Sequence, residues 1–442
     1  GSYSQSTTVP GSEAALMGYR FNWRASFDFP GIGMFVPPPW VPADTVWQSI
    51  RGGETSIGLM NGYAERMEEK GFHVLEYFNI TEAGYRVPRN PPPMSKADHW
   101  QDMAAWVHHD IEAAVVKDEK GAMVYSNWER CVVVDPAEPA MRSHLLGQAS
   151  RLLTEVSASS GMAIDRMDHL QRTNPARTDG LSAGPARLMV SWIGVMDELG
   201  PLVHDAGRVI LANPVGTYDL AAFRHIDGIY TEYFTELDAC SLLCLAKPLV
   251  VWSRKPYDDA MMQDLLHAGA WPTLPMPGND HCLGPDPAAE SLARDYGNLF
   301  DALRGRRWAL HAHPVADQEK GRSNLFAIPG GWLVVVTMAD DAGDPQQVSP
   351  TSITLRLPNL PLPDAVSTLR SWGIRPGDRQ WSDAEVERDR DDWLVTVPLE
   401  RGCGMVRLQW AWIEPHERTW QVRPSLWVDT TVDNATCHIV LD

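Results

Sequence analysis

The sequence is short of cysteine pairs, long apolar runs and basic clusters, and each shortage excludes a class of protein. Its six cysteines are scattered over 442 residues with no C-x-x-C pair, which argues against a disulfide framework or a structural zinc site. No stretch of about 18 uninterrupted apolar residues occurs, so we expect no helix to span a membrane. The longest basic run is only Arg304-Gly305-Arg306-Arg307, and 38 Lys and Arg against 57 Asp and Glu give a formal net charge of −19. That balance argues against a nucleic-acid or anionic-membrane partner.

Several catalytic signatures are missing as well. The chain has no Gly-x-Ser-x-Gly elbow, no Gly-x-x-x-x-Gly-Lys phosphate loop and no Cys at a predicted strand end with a His partner. His311 and His313 have a spacing seen in barrel amidohydrolases, but they follow the last predicted barrel helix. His108 and His109 lie within a predicted helix, where neighbours diverge by about 100° and do not share one ion. We therefore expect no metal and no cofactor.

What the sequence does have, from about residue 17 to 305, is an alternation of short apolar runs with segments of helical period. This alternation is typical of a parallel β/α fold. Eight strands are predicted, at Gly18–Ala25, Phe72–Asn79, Met123–Asn127, Gly161–Asp165, Arg208–Asn213, Gly228–Glu232, Pro248–Ser253 and Ala270–Leu274. Helices are predicted at Ser56–Lys70, Trp100–Lys117, Met141–Ser157, Pro185–Ala206, Tyr218–Arg224, Leu237–Ala246, Tyr257–His267 and Ala288–Arg304. Eight units in this length predict a (β/α)8 TIM barrel over residues 1–305. A doubly wound open sheet is the alternative, but no glycine-rich phosphate loop follows the first strand.

From residue 306 to 442 the pattern changes to short β-type runs separated by turns, which predicts a C-terminal antiparallel β-sandwich domain with a tail. The predicted strands are Asn324–Ile328, Gly331–Thr337, Ser352–Leu357, Ala365–Trp372, Trp393–Pro398 and Gly404–Trp412.

Two carboxylates stand at the carboxyl ends of predicted barrel strands, where the functional residues of such barrels lie. Gly161, Ala163 and Asp165 share one face of the fourth strand, which places Asp165 at the barrel mouth. The alternative for Asp165 is an ion pair with Arg166 or a cap on the next segment.

Glu232 ends the sixth predicted strand, and by the same alternation it also faces the mouth. Two opposed carboxylates are the equipment for glycosidic bond cleavage, one as nucleophile or base and the other as acid. The alternative for Glu232 is an acidic residue at the N-terminus of the following helix.

The arrangement on the fourth and sixth predicted strands resembles that of the α-galactosidase-like glycoside hydrolase clan. This resemblance implies that Asp165 is the nucleophile and Glu232 the acid/base of a retaining enzyme. The sequence departs from the clan pattern in having Glu at the second position and the Asp165-Arg166 dipeptide at the first. The segments Met162–Asp168 and Asp227–Glu232 also resemble those of endo-polygalactosaminidase-like barrels. Both resemblances cover only the barrel.

Other residues near the predicted strand ends form a candidate substrate-binding set. Aromatic faces stack on pyranose rings, and polar side chains bind sugar hydroxyls. The aromatic members are Tyr77, Trp128, Trp252 and Trp271, and the polar members are Asn79, Glu82, Arg166, Asp168, Asn213 and Arg254. The alternatives are core packing for the tryptophans and, for the two arginines, ion pairs that orient Asp165 or Asp168.

The sequence therefore predicts a glycosidase that acts on a carbohydrate, with long loops after the first three strands indicating a walled, exo-acting site. The competing hypotheses are a non-catalytic carbohydrate-binding barrel and a carbohydrate deacetylase. Sugar identity, anomeric configuration, oligomeric state and the choice between cytoplasm and export are not decided by the sequence.

Overall fold

The computed structural model describes thirteen stretches of the chain, and the statements below concern them. They are residues 21–24, 28–69, 73–92, 100–178, 184–232, 234–253, 257–272, 287–309, 315–316, 321–338, 351–360, 362 and 369–410.

The described elements are seven α-helices and 23 strands, many of the strands only two residues long. The helices are α1 (Ile57–Glu68), α2 (Met103–His109), α3 (Pro139–Glu155), α4 (Leu188–Asp205), α5 (Leu237–Cys244), α6 (Asp259–Ala268) and α7 (Pro287–Ala302). The strands up to residue 272 are β1 (Phe21–Arg24), β2 (Trp47–Gln48), β3 (Glu54–Thr55), β4 (His73–Asn79), β5 (Glu82–Ala83), β6 (Val132–Val133), β7 (Gly161–Asp165), β8 (Thr173–Asn174), β9 (Ala186–Arg187), β10 (Val209–Ala212), β11 (Gly228–Thr231), β12 (Leu249–Val251) and β13 (Trp271–Pro272). The later strands are β14 (Arg307–Trp308), β15 (Val315–Ala316), β16 (Arg322–Ile328), β17 (Gly331–Thr337), β18 (Ser352–Leu357), β19 (Arg370–Ile374), β20 (Ser382–Asp383), β21 (Val386–Asp389), β22 (Asp392–Pro398) and β23 (Cys403–Gln409).

The first part of the chain is built on a parallel sheet with the strand order β1-β4-β7-β10-β11-β12-β13. Its central strands are apolar and buried on both faces, as expected where helices cover a parallel sheet. Together with the C-terminal antiparallel strands, this confirms the predicted class of a TIM-type barrel followed by a β-sandwich.

One predicted barrel strand is wrong. Within the described residues the parallel sheet has seven strands, and β4 pairs directly with β7, which leaves no place for a strand at Met123–Asn127. That segment makes isolated antiparallel bridges, from Met123 to Lys117 and from Tyr125 to Val132. It belongs to the long segment that follows β4, called the excursion below. Within this segment β5, close to the end of β4, pairs with β6. The apolar run at Met123–Asn127 thus forms isolated bridges and no strand of the barrel.

Helix ends follow local sequence signals. The Ser56 side chain caps α1 by accepting from the Leu59 N–H, and Asp258 caps α6 through the Met261 N–H. Gly269 ends α6 in the left-handed conformation that glycine favours just past a helix. The helix predicted at Trp100–Lys117 is shorter, because α2 ends at His109 and a separate 3-10 turn follows at Glu112–Ala114.

The C-terminal strands form two antiparallel sheets, one of order β14-β16-β17-β23-β19-β20 and the other of order β15-β18-β22-β21. Alternate residues of β17, such as Val334 and Val336, pack against Ile353, Leu355 and other apolar residues of the second sheet. The intervening residues Leu333 and Val335 belong instead to the barrel's hydrophobic cluster. The larger sheet is therefore buried on both faces, with the second sheet on one side and the barrel on the other.

Within the described residues, no helix combines the length and apolarity that a membrane crossing requires.

Candidate active site

Asp165 is the last residue of β7, at the carboxyl edge of the parallel sheet. It pairs in register with Asn79, the last residue of β4. Asn213 follows β10 on the other side, and its backbone N–H donates to the Ile164 carbonyl at 2.8 Å. Three neighbouring strands thus deliver three polar side chains to one level of the sheet, next to a buried apolar interior.

Three donors hold the Asp165 carboxylate. Its Oδ1 accepts from the Arg166 backbone N–H at 2.9 Å and from Asn213 Nδ2 at 3.0 Å. Its Oδ2 accepts from the Tyr77 hydroxyl at 3.1 Å. Because these donors come from three strand ends, the carboxylate has a fixed orientation.

The backbone at Arg166 supports this arrangement. Arg166 has φ 66° and ψ 58°, a left-handed conformation that costs a non-glycine residue roughly 1–2 kcal/mol. The turn brings the Arg166 N–H onto its neighbour's carboxylate, and the Thr81 hydroxyl holds the Arg166 carbonyl at 3.0 Å. Strained residues of this kind concentrate at functional sites.

Glu232 follows β11 and is half-buried. Burial, then the negative charges of Glu232 and Glu82, raise the pKa of Asp165 to about 7, against a partial opposing effect of Arg166. Two carboxyl groups whose charges interact in a desolvated site, with one pKa displaced towards neutrality, are the usual equipment of acid–base chemistry.

A second layer of polar groups lies behind Asp165. Glu82 is fully buried and accepts from Asn79 Nδ2 at 2.8 Å, and His169 Nε2 lies 2.8 Å from its other oxygen. Arg166 reaches the same carboxylate at 3.6 Å and forms a bidentate pair with Asp168, both contacts at 2.9 Å. This pair agrees with the alternative given above for Arg166, an ion pair that orients Asp168.

Two predicted contacts with sugar hydroxyls need correction. Asn79 and Glu82 have no exposed surface, so they contact protein groups and not a ligand. Their burial follows from the β5–β6 pair, which brings the excursion after β4 down over them.

One of the predicted tryptophan platforms is also wrong, and a second is fixed by contacts with the last helix. Trp252 is 3% exposed and belongs to the hydrophobic core. Trp271 begins β13, and its Nε1 donates to the Phe300 carbonyl of α7 at 2.9 Å while the Arg306 guanidinium lies 5.2 Å above its ring. These contacts tie Trp271 to the last helix. Arg254 lies outside the described residues.

Tyr77 contacts Asp165, and Trp128 lies beside Tyr77. Their ring centroids are 6.3 Å apart at an interplanar angle of 32°, and Trp128 is partly buried. Trp128 is carried by the excursion after β4, where a Ser126 hydroxyl accepts its N–H at 3.1 Å. Trp128 is the partly exposed member of the predicted aromatic set that contacts Tyr77.

Sequence reasoning missed two residues that complete the site. Phe29 packs on Tyr77 with ring centroids 4.9 Å apart, and His169 supports Glu82. His169 was detectable in the polar run that follows the fourth predicted strand. Phe29 was not, because its approach to Tyr77 depends on the path of the loop after β1.

The described residues contain no cluster of three or more His, Cys, Asp or Glu side chains able to hold a metal ion. His108 and His109 instead face the carbonyls of Pro88 and Pro92, at 2.8 and 3.1 Å. His311 and His313 lie outside the described residues.

No protein-family model matches the chain, and no curated protein matches it in sequence. Solved structures do resemble it. A cycloisomaltooligosaccharide glucanotransferase from Paenibacillus sp., complexed with cycloisomaltoheptaose, superposes with a TM-score of 0.62 at 9% identity, over 90% of this chain and 83% of that one.

Two α-amylases superpose less closely. A noncanonic maltogenic α-amylase from Thermotoga neapolitana gives a TM-score of 0.50 at 13% identity, over 91% of this chain and 97% of that one. The α-amylase of Geobacillus thermoleovorans, complexed with acarbose, gives 0.50 at 13% identity, over 89% of each chain. At these identities the likeness establishes the fold, a (β/α)8-type barrel with a C-terminal β domain.

Proposed function

We propose that the protein is a glycosidase that cleaves a glycosidic bond with Asp165 and Glu232. The observation that carries this proposal is the Asp165 carboxylate itself. It is held by three donors at the carboxyl edge of the barrel sheet, and its pKa is raised to about 7 by burial and by the charges of Glu232 and Glu82. A carboxylate pair of this kind suits glycoside cleavage.

In the proposed retaining course, an Asp165 oxygen forms a bond to the anomeric carbon as that carbon's bond to the glycosidic oxygen breaks. Glu232 gives its proton to the departing oxygen. The Glu232 carboxylate then takes a proton from water, whose oxygen attacks the anomeric carbon and releases Asp165. The retaining course rests on the resemblance of the Asp165 and Glu232 segments to retaining enzymes.

We assign the attack to Oδ2. Among the described contacts Oδ1 accepts two donors, from Arg166 and Asn213, whereas Oδ2 accepts only the Tyr77 hydroxyl. Each carboxylate oxygen offers about two acceptor sites, so Oδ2 keeps a lone pair for the anomeric carbon. Asn213 and the Arg166 N–H then stabilise the oxygen that does not react.

The substrate we propose is an α-linked carbohydrate, cleaved from a chain end. The structural neighbours are named as a glucanotransferase and α-amylases, which supports a carbohydrate ligand. Trp128 offers a partly exposed ring beside Tyr77, whose hydroxyl contacts Asp165. The loop after β1 and the excursion after β4 both pack around Tyr77, which supports a walled site.

The test is hydrolysis of a panel of aryl α- and β-glycosides by wild type, Asp165→Asn and Glu232→Gln. We expect turnover of at least one α-glycoside and a loss of about 10³-fold or more in D165N with every leaving group. E232Q should lose activity on 4-nitrophenyl substrates but retain the first step on 2,4-dinitrophenyl substrates, whose leaving group needs no proton.

Asp383→Asn and Glu387→Gln, two exposed positions of the sandwich, are the matched controls and should keep full activity. Retained hydrolysis in both site variants would overturn the assignment. Ligand binding without any turnover by wild type would instead favour a carbohydrate-binding barrel, and acetate release from acetylated sugars would favour a deacetylase.

A further inference from the structure

We infer that Asn79 is a positioning residue of this site: its buried amide fixes the direction of the Tyr77 hydroxyl, so that the hydroxyl donates to Asp165 Oδ2. The inference rests on the proposed function for its catalytic meaning. The hydrogen-bond chain on which it is built is independent of any activity.

The orientation of the Asn79 amide is set by the backbone. Its Oδ1 lies 3.1 Å from the backbone N of Thr81 and 3.1 Å from that of Glu82. A backbone N–H only donates, so this atom must be the oxygen and the other the NH2 group. This local turn, in which an Asn side chain binds N–H groups two and three residues ahead, is a common structure after a strand.

The two hydrogens of Asn79 Nδ2 then have defined acceptors. One goes to Glu82 Oε2 at 2.8 Å, and the other to the Tyr77 hydroxyl oxygen at 3.3 Å. The Tyr77 oxygen therefore accepts from Asn79, and its own proton goes to Asp165 Oδ2 at 3.1 Å. Burial, then the charges of Asp165 and Glu82, raise the pKa of Tyr77 well above its usual value, so the hydroxyl keeps that proton.

Glu82 is itself fixed at the far end of the chain. Arg172 Nε donates to His169 Nδ1 at 3.0 Å, and since a guanidinium only donates, Nδ1 must be an acceptor. His169 therefore carries its proton on Nε2 and donates it to Glu82 Oε1 at 2.8 Å. Both oxygens of Glu82 therefore accept hydrogen bonds, one from His169 and one from Asn79. The donor and the acceptor are thus assigned for every hydrogen bond in the chain of residues that leads from Arg172 to Asp165.

The consequence concerns the attacking oxygen. The charged groups facing Asp165 are Glu232, Glu82 and Arg166, the last paired with Asp168. Two of the three are negative and disfavour ionisation, whereas the neutral donors favour the carboxylate; the Arg166 N–H and Asn213 act on Oδ1, and the Tyr77 hydroxyl acts on Oδ2. Asn79 keeps that donor aimed at Asp165 and prevents the hydroxyl from turning to Glu82.

The experiment is a double-mutant cycle read out by the titration of Asp165. The carboxyl carbon is followed by NMR in full-length protein labelled with 13C at the aspartate carboxyl, and its signal is assigned by its loss in D165N. The variants are Tyr77→Phe, Asn79→Asp and the double variant. Asn79→Asp keeps the oxygen that binds the backbone N–H groups but replaces the donor to Tyr77 with an acceptor.

We expect Y77F to raise the pKa of Asp165 by about one unit, because a donor to the charged form is lost. N79D should raise the pKa of Asp165 by more than the effect of its added negative charge alone. The reason is that the Tyr77 proton now turns to residue 79 and is lost to Asp165. In the Y77F background only the charge effect should remain, so the N79D shift becomes smaller by about the Y77F shift. Equal N79D shifts in both backgrounds, or no shift in Y77F, would overturn the inference.

Asn79→Ser provides a second, uncharged route if N79D does not fold. Its hydroxyl can still accept a backbone N–H but no longer bridges Glu82 and Tyr77. We expect a smaller upward pKa shift that disappears in the Y77F background, and a shift that persists there would contradict the inference. Because the readout is a titration, absence of hydrolysis would count against the proposed function alone.

Discussion

At the scale of single residues, Asp165 combines a strained neighbour, three donors and a displaced pKa. The sequence predicted its position well, because an acidic residue that ends an apolar strand is conspicuous. Its partners were predicted less evenly. Tyr77 and Asn213 were found from their positions at predicted strand ends, whereas the burial of Asn79 and Glu82 depends on the excursion after β4. A position at the end of a strand predicts that a side chain lies at the carboxyl edge of the sheet. It does not predict whether another segment of the chain buries that side chain.

Asp165→Asn is expected to stabilise the protein at neutral and alkaline pH. The folded-state pKa of Asp165 is raised from 3.8 to about 7, so the folded state binds a proton more tightly than the unfolded state. Between about pH 4 and 7, rising pH therefore removes stability, and the asparagine avoids this loss of about 4 kcal/mol. Denaturant unfolding from pH 4 to 8 measures it. A stability difference that does not grow with pH would contradict the assigned environment of Asp165.

The activity of the enzyme is expected to fall as pH decreases through about 7. Attack requires ionised Asp165, and its pKa is raised to about 7 by burial and by the charges of Glu232 and Glu82. The acidic limb of kcat/KM against pH reports this pKa in the free enzyme. In E232Q, which stalls after the first step, the burst rate on a dinitrophenyl glycoside at low substrate concentration should show this limb at lower pH, because a negative charge is gone. A limb near pH 4 in wild type would show that Asp165 is not the group that must ionise.

At the scale of elements, several strand predictions reproduce the observed bounds. Gly161–Asp165 was predicted at its observed bounds, as were Gly331–Thr337 and Ser352–Leu357. Met123–Asn127 was also predicted as a barrel strand but makes isolated bridges within the excursion, because hydrogen-bond partners are decided by tertiary folding. The helix predicted at Tyr218–Arg224 is a 3-10 turn at Leu220–Phe223.

Gly161→Ala is expected to disrupt β7 and with it the placement of Asp165. A Cβ at Gly161 would lie 1.9 Å from the Val209 carbonyl oxygen of β10, and the residue has φ +153°. The Val209 backbone is held in the sheet and cannot move away without a large cost in free energy. We therefore expect the free energy of unfolding to fall by about 2–4 kcal/mol. Thermal unfolding measures the change.

Gly147→Ala is the matched control. It lies within α3 with open space around its Cβ position, and the substitution should stabilise the protein by about 0.5–1 kcal/mol. Equal effects of the two substitutions would show that β7 and β10 do not approach as closely as described.

At the scale of the whole molecule, the sandwich completes the barrel's packing. Leu333, Val335 and Met405 of the larger sheet lie in the same hydrophobic cluster as the barrel strands. Arg401, before β23, forms a bidentate pair with Asp259 of α6 and a third contact with Asp295 of α7. The sequence predicted both domains by pattern, but it did not show that one sheet would be buried on both faces. That requires knowing which strand faces point at the barrel.

Val335→Asp is expected to lower the unfolding temperature of the barrel and the sandwich together. Val335 is fully buried against the barrel, so a carboxylate there is desolvated without a partner. Differential scanning calorimetry should show one cooperative transition, displaced downward in the variant. Ser352→Asp, at an exposed end of β18, is the control and should leave the transition in place. Two transitions, with the barrel's unchanged in V335D, would contradict the shared core.

The most direct test of the account is capture of the glycosyl-enzyme on Asp165. Glu232→Gln, given a 2,4-dinitrophenyl glycoside that wild type hydrolyses, should release one equivalent of dinitrophenolate in a burst and then stall, because the second step lacks its base. Mass spectrometry of the proteolysed protein should place one added sugar on the peptide that contains Asp165. A burst with the sugar on another residue, or no burst and no adduct, would contradict the assignment of Asp165 as nucleophile and Glu232 as acid/base.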